Sequence, residues 1–174
     1  MRCFLAIELK SELKDILENL KKQFNLKGIK TVEKENLHIT VKFLGDVDDK
    51  KLEEILESDL KIEKVISEIK GVGTFPNEEY IRVIWVGTTN LEEIFKNIDE
   101  KLFKLGFKKE KSYDPHITLG RVKFIENDSK ETLKNLIEKN KHVDFGKVEI
   151  NSISLMKSTL TKEGPVYETV KKWD

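Results

Sequence analysis

The chain carries one pattern twice. Leu13, Ile16, Leu17, Leu20 and Phe24 recur at the spacing of a single buried helix face, and Leu91, Ile94, Phe95, Ile98 and Leu102 recur at the same spacing. The two sets lie 78 residues apart, and the same offset relates Ser11 to Thr89, Gly28 to Gly106 and His38 to His116. Ser11 and Thr89 are the predicted N-caps, and Thr89 with Glu92 has the form of a capping box. An apolar, strand-like run precedes each helix, over residues 3–9 and 81–87. A further helical pattern follows each histidine, first at Leu52, Ile55 and Leu56, then at Leu133, Leu136 and Ile137. A unit of this length is too long for a solenoid repeat. It predicts an α+β class and a bilobal duplicated fold, with two antiparallel sheets and outer helices around a central cleft. Residues 1–174 are read as a single domain with two pseudo-symmetric lobes, motif 1 at 38–41 and motif 2 at 116–119.

The remaining elements follow from turn residues and alternation. Residues 65–72 are predicted to be a strand, because Gly71 and Gly73 break any helical reading. Residues 148–156 alternate as one strand, and residues 166–170 close the chain after a turn at Gly164-Pro165. A chain of 174 residues buries a core without covalent staples. One cysteine, Cys3, allows neither an internal disulfide nor a zinc site built on cysteines. The apolar start ends at Lys10, too short for a signal segment or a span, so a soluble, cytoplasmic protein is expected. Lys and Glu abound beside a single glutamine, Gln23, a composition similar to that of proteins from hot environments.

Charge narrows the function classes. The 32 basic and 32 acidic residues cancel, which argues against a protein that coats long nucleic acid with its whole surface. A local site for one nucleic-acid end stays open. Two of the three histidines sit in near-identical tetrapeptides, His38-Ile39-Thr40-Val41 and His116-Ile117-Thr118-Leu119. On a strand, residues two apart share a face. Each motif therefore presents an imidazole beside a hydroxyl, with apolar residues turned to the core. A lone motif of this kind reads most simply as a structural histidine. Two at equivalent points of a repeat read as one shared site. Two imidazoles across a cleft suit general acid–base work, one taking a proton and one giving it. Threonine hydroxyls beside them can donate to phosphate oxygens as charge builds. A metal centre would want three or four converging ligands, and His142 lies in a polar stretch, so no metal is expected. Only three arginines occur, Arg2, Arg82 and Arg121, and each is a candidate two-pronged donor or a plain surface residue.

The segments Asn36-Leu37-His38-Ile39-Thr40-Val41-Lys42-Phe43-Leu44-Gly45 and Pro115-His116-Ile117-Thr118-Leu119-Gly120-Arg121 resemble the paired HxTx motifs of the 2H phosphoesterase superfamily. More narrowly, the chain is similar to the archaeal and bacterial RNA 2',3'-cyclic phosphodiesterases, also called 2'-5' RNA ligases. The opening run Arg2 to Ile7, the middle segments Phe75-Pro76 and Arg82 to Trp85, and the closing segment Ser158 to Glu168 extend the likeness over nearly the whole chain. The resemblance implies hydrolysis of an RNA 3' end bearing a 2',3'-cyclic phosphate to a 2'-phosphomonoester. It implies no cofactor, no metal and no membrane, and a monomer is expected. It makes His38 the proton donor and His116 the proton acceptor, although the motifs by themselves are too symmetric to assign these roles. Thr40, Thr118 and Arg121 become substrate-binding residues. Lys42 and the run Lys108, Lys109 and Lys111 could steer RNA, with a solvated face the simpler reading for the run. Three alternatives stand beside it: a 2'-5' RNA ligase that uses the same two histidines with a 5'-hydroxyl in place of water, a non-catalytic RNA-end binding module, which would not need both histidines, and a phosphodiesterase for small cyclic nucleotides or cyclic ADP-ribose derivatives.

Overall fold

A computed structural model describes residues 1–174. The first strand, β1 (Arg2–Glu8), runs into α1 (Ser11–Lys21), a short 3-10 turn, and the three-residue strand β2 (Ile29–Thr31). Then follow β3 (His38–Asp46), α2 (Asp49–Glu57) and β4 (Val65–Pro76). The second half comprises β5 (Ile81–Thr88), α3 (Glu92–Lys104), β6 (His116–Val122), α4 (Asn127–Asn140), β7 (Asp144–Ile150), β8 (Ile153–Thr161) and β9 (Gly164–Trp173).

The main strand order is β7-β4-β5-β6-β3-β1-β8-β9, every pair antiparallel, with β2 added to β6. The middle of this sheet is narrow. β3 and β6 meet through one residue pair, Ile39 opposite Ile117. The α+β fold is therefore two-lobed. The expected two sheets, β3-β1-β8-β9 and β6-β5-β4-β7, are joined at that seam into one curled sheet. Each half also lends strands to the other lobe. β4 follows α2 but pairs with β5, and β8 follows β7 but pairs with β1.

Packing separates the two faces of the sheet. Leu13, Leu17 and Leu20 of α1, Ile55 of α2, Phe95, Ile98 and Leu102 of α3, and Leu133 and Ile137 of α4 are buried in one core. The same core takes Leu5, Ile7, Ile39, Ile84, Ile117 and Leu155 from the strands. These are the residues whose helical and alternating spacing marked them in the sequence. Phe4, Ala6 and Met156 point the other way and form a small separate cluster against Tyr167.

Four local expectations are corrected. Ser11 is the first helical residue, and Lys10 before it makes no side-chain cap. Thr89 does not cap α3, which begins at Glu92. Its Oγ1 instead accepts from the Glu68 amide at 2.8 Å, and its amide donates to Ser67 Oγ at 3.0 Å. Tertiary partners on β4 thus outcompete the local box. The single strand expected over residues 148–156 is two strands, broken at Asn151 and Ser152, where the chain leaves one lobe for the other. The apolar positions shift phase there, from Val148 and Ile150 to Ile153 and Leu155, which a reading as one alternating strand passes over. The final turn is Lys162 and Glu163, and Gly164-Pro165 already belong to β9.

Candidate active site

The seam builds the site. Ile39 and Ile117 are fully buried, so their neighbours on either side face away from the core. In the antiparallel register set by that pair, His38 lies toward Thr118 and Thr40 toward His116. All four side chains line one cleft of ≈ 270 Å³.

Matching irregularities place two more residues there. Leu5 pairs with Lys42 but Ala6 with Thr40, leaving Val41 as an extra residue in β3. Ile84 pairs with Gly120 but Trp85 with Thr118, leaving Leu119 extra in β6. Such a bulge reverses which face the following residues occupy. Phe43 and Arg121, again 78 residues apart, therefore share the face of the histidines and line the cleft. Phe43 is 66 % exposed despite its apolar ring. The two halves are equivalent in backbone and different in chemistry, an aromatic ring on one strand and a guanidinium on the other.

The bulge also corrects the reading of Lys42. Strict alternation would aim it at the cleft, but it is buried, with its ammonium 2.6 Å from Asp99 and 3.2 Å from Glu110, donating also to the Lys108 carbonyl at 2.7 Å. Lys42 cannot steer a ligand. Lys108, Lys109 and Lys111 are exposed on the loop after α3 and do not line the cleft. Arg82 stacks its guanidinium over Tyr80 at 5.3 Å, and Arg2 is exposed at the start of β1; neither borders the cleft. His142 is exposed in the turn before β7.

Backbone carbonyls fix both imidazoles. His38 Nδ1 lies 2.6 Å from the Asn36 carbonyl and His116 Nδ1 lies 2.6 Å from the Asp114 carbonyl. A carbonyl only accepts, so each Nδ1 carries its proton and each Nε2 is the titrating atom. His38 Nε2 is 2.8 Å from Thr40 Oγ1, whose hydroxyl donates to it while the ring is neutral. Aromatic rings hold both imidazoles: Tyr167 edge-on at 5.5 Å and Phe4 tilted at 5.1 Å for His38, Phe75 edge-on at 4.9 Å for His116. Burial pushes both histidines below their usual range. For His116 the Asp114 carbonyl and carboxylate oppose the shift and the Arg121 cation adds to it. For His38 the Asn36 carbonyl opposes it, while Lys14 and His116 add to it. The structure contains no group of three His, Cys, Asp or Glu side chains placed to hold a metal ion.

Sequence reasoning missed Phe43, Tyr167, Lys30 and Lys123, all of which border the cleft. Phe43 was readable from its place at the same offset from Arg121. Tyr167 and Lys30 arrive from distant strands, and only β9 and β2 pairing brings them in.

Comparison with known proteins accords with this architecture. The family model for LigT like Phosphoesterase matches twice, over residues 5–85 and 87–167. The chain is 59% identical over 175 residues to a Methanocaldococcus jannaschii protein named RNA 2',3'-cyclic phosphodiesterase, covering 99% of this chain and 100% of that one. An Archaeoglobus fulgidus protein of the same name is 33% identical, with 100% of both chains covered. Among solved structures, a Thermus thermophilus protein superposes with a TM-score of 0.78 at 26% identity, over 99% of this chain and 96% of that one. Escherichia coli LigT, crystallised with 3'-AMP, shares the fold with a TM-score of 0.77 at 21% identity, over the same shares of the two chains.

Proposed function

The chain belongs to the LigT-like phosphoesterases, and from that membership and the geometry of the cleft we propose that it hydrolyses the 2',3'-cyclic phosphate at an RNA end to a 2'-phosphomonoester. The observation that carries the mechanism is the pair of Nε2 atoms in one cleft, each freed for proton transfer because its Nδ1 is held by a backbone carbonyl. His116 Nε2, neutral, takes a proton from the attacking water as the new P–O bond forms. The bond from phosphorus to O3' breaks, and His38 Nε2–H delivers its proton to O3'. The products are a 2'-phosphate and a 3'-hydroxyl, and solvent returns the two rings to their starting protonation.

The asymmetry of the cleft supports this direction. Arg121 lies on the strand of His116 and disfavours a second cation there, which suits a base. His38 lies near Phe4, Phe43 and Tyr167 and gains its proton most readily once the anionic phosphate has arrived. Thr40 and Thr118 donate to the non-bridging oxygens as charge accumulates, and Arg121 neutralises it. The exposed ring of Phe43 offers a stacking surface for the terminal base.

The decisive experiment incubates the protein with an RNA ending in a cyclic phosphate, with a chelator present and with or without a second RNA bearing a 5'-hydroxyl. Release of the 2'-phosphate in water alone is expected. No turnover, a 3'-phosphate product, or joining of the two RNAs in preference to hydrolysis would overturn the proposal.

A further inference from the structure

Beyond the two histidines, β2 and the end of β6 bring three cations to the cleft. Lys30 stands directly opposite Arg121 in the β2–β6 ladder, and Lys123 is the first residue after β6 ends at Val122. All three are exposed and border the cleft. Like charges directly opposite on paired strands are destabilising. None of these three has a carboxylate within 4.0 Å. Glu33 and Glu163 border the same cleft and pair with neither lysine. An anion held among the three from outside would relieve the repulsion between Lys30 and Arg121.

The position of these cations says which anion. Thr118 and Arg121 of β6 border the cleft beside the histidines, and Lys123 lies just past the end of β6, further from the seam. Residues two apart along the chain are at most ~7 Å apart, of the order of one step along a nucleic-acid backbone. An RNA ending in a cyclic phosphate has only one neighbouring phosphate, on the 5' side of its terminal ribose. We infer that Lys30 and Lys123 form a second phosphate subsite that holds this 5' phosphate, and that the cleft selects oligonucleotide ends over free cyclic nucleosides. The inference rests on the phosphodiesterase reading given above and deepens it. It also explains how a chain with no net charge engages RNA: a local group of cations stands beside the reacting groups.

The test compares adenosine 2',3'-cyclic phosphate, the same compound with a 5'-phosphate, and the dinucleotide ApA with a terminal 2',3'-cyclic phosphate. In the wild-type protein at low salt, the added phosphate should raise kcat/KM on the order of tenfold, as two phosphate contacts do. In the double variant Lys30→Ala, Lys123→Ala that ratio should fall toward one, and the salt slope for the dinucleotide should drop by about 1. Equal loss on all three substrates, or a preference that survives the double variant, overturns the inference. A parallel binding measurement separates it from the parent reading. His116→Ala, with and without the lysine substitutions, is titrated with fluorescent RNA ending in a cyclic phosphate. If the wild-type protein hydrolyses nothing, the phosphodiesterase reading fails. The subsite still stands if the lysine substitutions weaken RNA binding and its salt dependence, and falls if they leave both unchanged.

Discussion

Nδ1 of each catalytic candidate is committed to a carbonyl, so all proton traffic at His38 and His116 must pass through Nε2. If the two atoms act in a single displacement, His38→Ala and His116→Ala should each lower the rate of cyclic-phosphate hydrolysis by about 10²- to 10⁴-fold. That is roughly 3–5 kcal/mol of barrier. The double variant should lose far less than the product of the two, because groups that act as a unit are not additive. Single-turnover rates of the three variants decide this, and a near-normal rate in either single variant would remove the two-histidine mechanism. The pH dependence follows from burial. Both rings sit below the usual 6.5 in the free protein, so neutral imidazole is favoured in both. The bell in kcat/KM, whose limbs belong to the coupled pair, should be centred on the acid side of pH 6.5. Bound phosphate favours imidazolium, so the kcat profile should lie at higher pH than the kcat/KM profile. A kcat/KM bell centred above 6.5 would show that burial does not govern these groups.

At the scale of elements, the loop between α3 and β6 decides where His116 points, because it carries the Asp114 carbonyl. That loop is pinned by Asp99 of α3. Its carboxylate accepts from Lys42 at 2.6 Å, Tyr113 at 2.7 Å and the Glu110 amide at 2.9 Å. Burial pushes the Asp99 carboxyl up, and these three donors outweigh it and hold it below its ordinary value, while the Tyr113 hydroxyl is pushed up to about 12. Asp99→Asn removes the charge and leaves the buried Lys42 ammonium poorly matched, at a cost of about 3–5 kcal/mol in urea unfolding. The sign in pH is fixed. A depressed carboxyl stabilises above its unfolded value of 3.8 and loses that contribution as pH falls through the folded value. The acid limb of the stability curve should therefore be shallower in Asp99→Asn than in wild type. The C-terminal end of α3 is closed by Gly106, at φ 100°, with its amide on the Phe103 carbonyl and the Phe107 amide on the Leu102 carbonyl. This left-handed stop suits glycine. Gly106→Ala should lower stability by about 1 kcal/mol, the cost of holding an L-residue there. An unchanged midpoint would mean that the loop relaxes without strain.

At the scale of the whole molecule, strand exchange ties the lobes together. β4 leaves the first half to pair with β5, and β8 leaves the second half to pair with β1, so neither half owns a complete sheet. Two tryptophans report the lobes separately: Trp85 lies on β5, and Trp173 ends β9, donating its Nε1–H to the Ser58 carbonyl at 2.9 Å. Fluorescence of Trp85→Phe and Trp173→Phe variants should show one coincident denaturant transition after each is corrected for its own stability change measured by circular dichroism. Separate midpoints would mean that the lobes unfold independently.

The histidine pair, the threonines two residues on, the helices and the twofold relation were legible in the sequence because each is a periodicity or an offset, and short-range periodicity is what backbone geometry imprints on a chain. The motifs on β3 and β6 carry their own facing rule, so Ile39 and Ile117 marked the buried side and His38 and His116 the open one. Beyond the motifs, that rule failed. The extra residues Val41 and Leu119 turned Lys42 inward and Phe43 and Arg121 outward, and a bulge leaves no signature in composition or spacing. Thr89 had the local form of a cap and went instead to β4, since a hydrogen bond from a distant strand satisfies a hydroxyl as well as a local one. Tyr167 and Lys30 reach the cleft only through pairings with strands far away in the chain. The sequence by itself determined the chemistry of the centre, two imidazoles and two hydroxyls on twin strands. The tertiary structure decided the surroundings that make those twins unequal, because register and long-range pairing are set by packing of the whole sheet and not by any one segment.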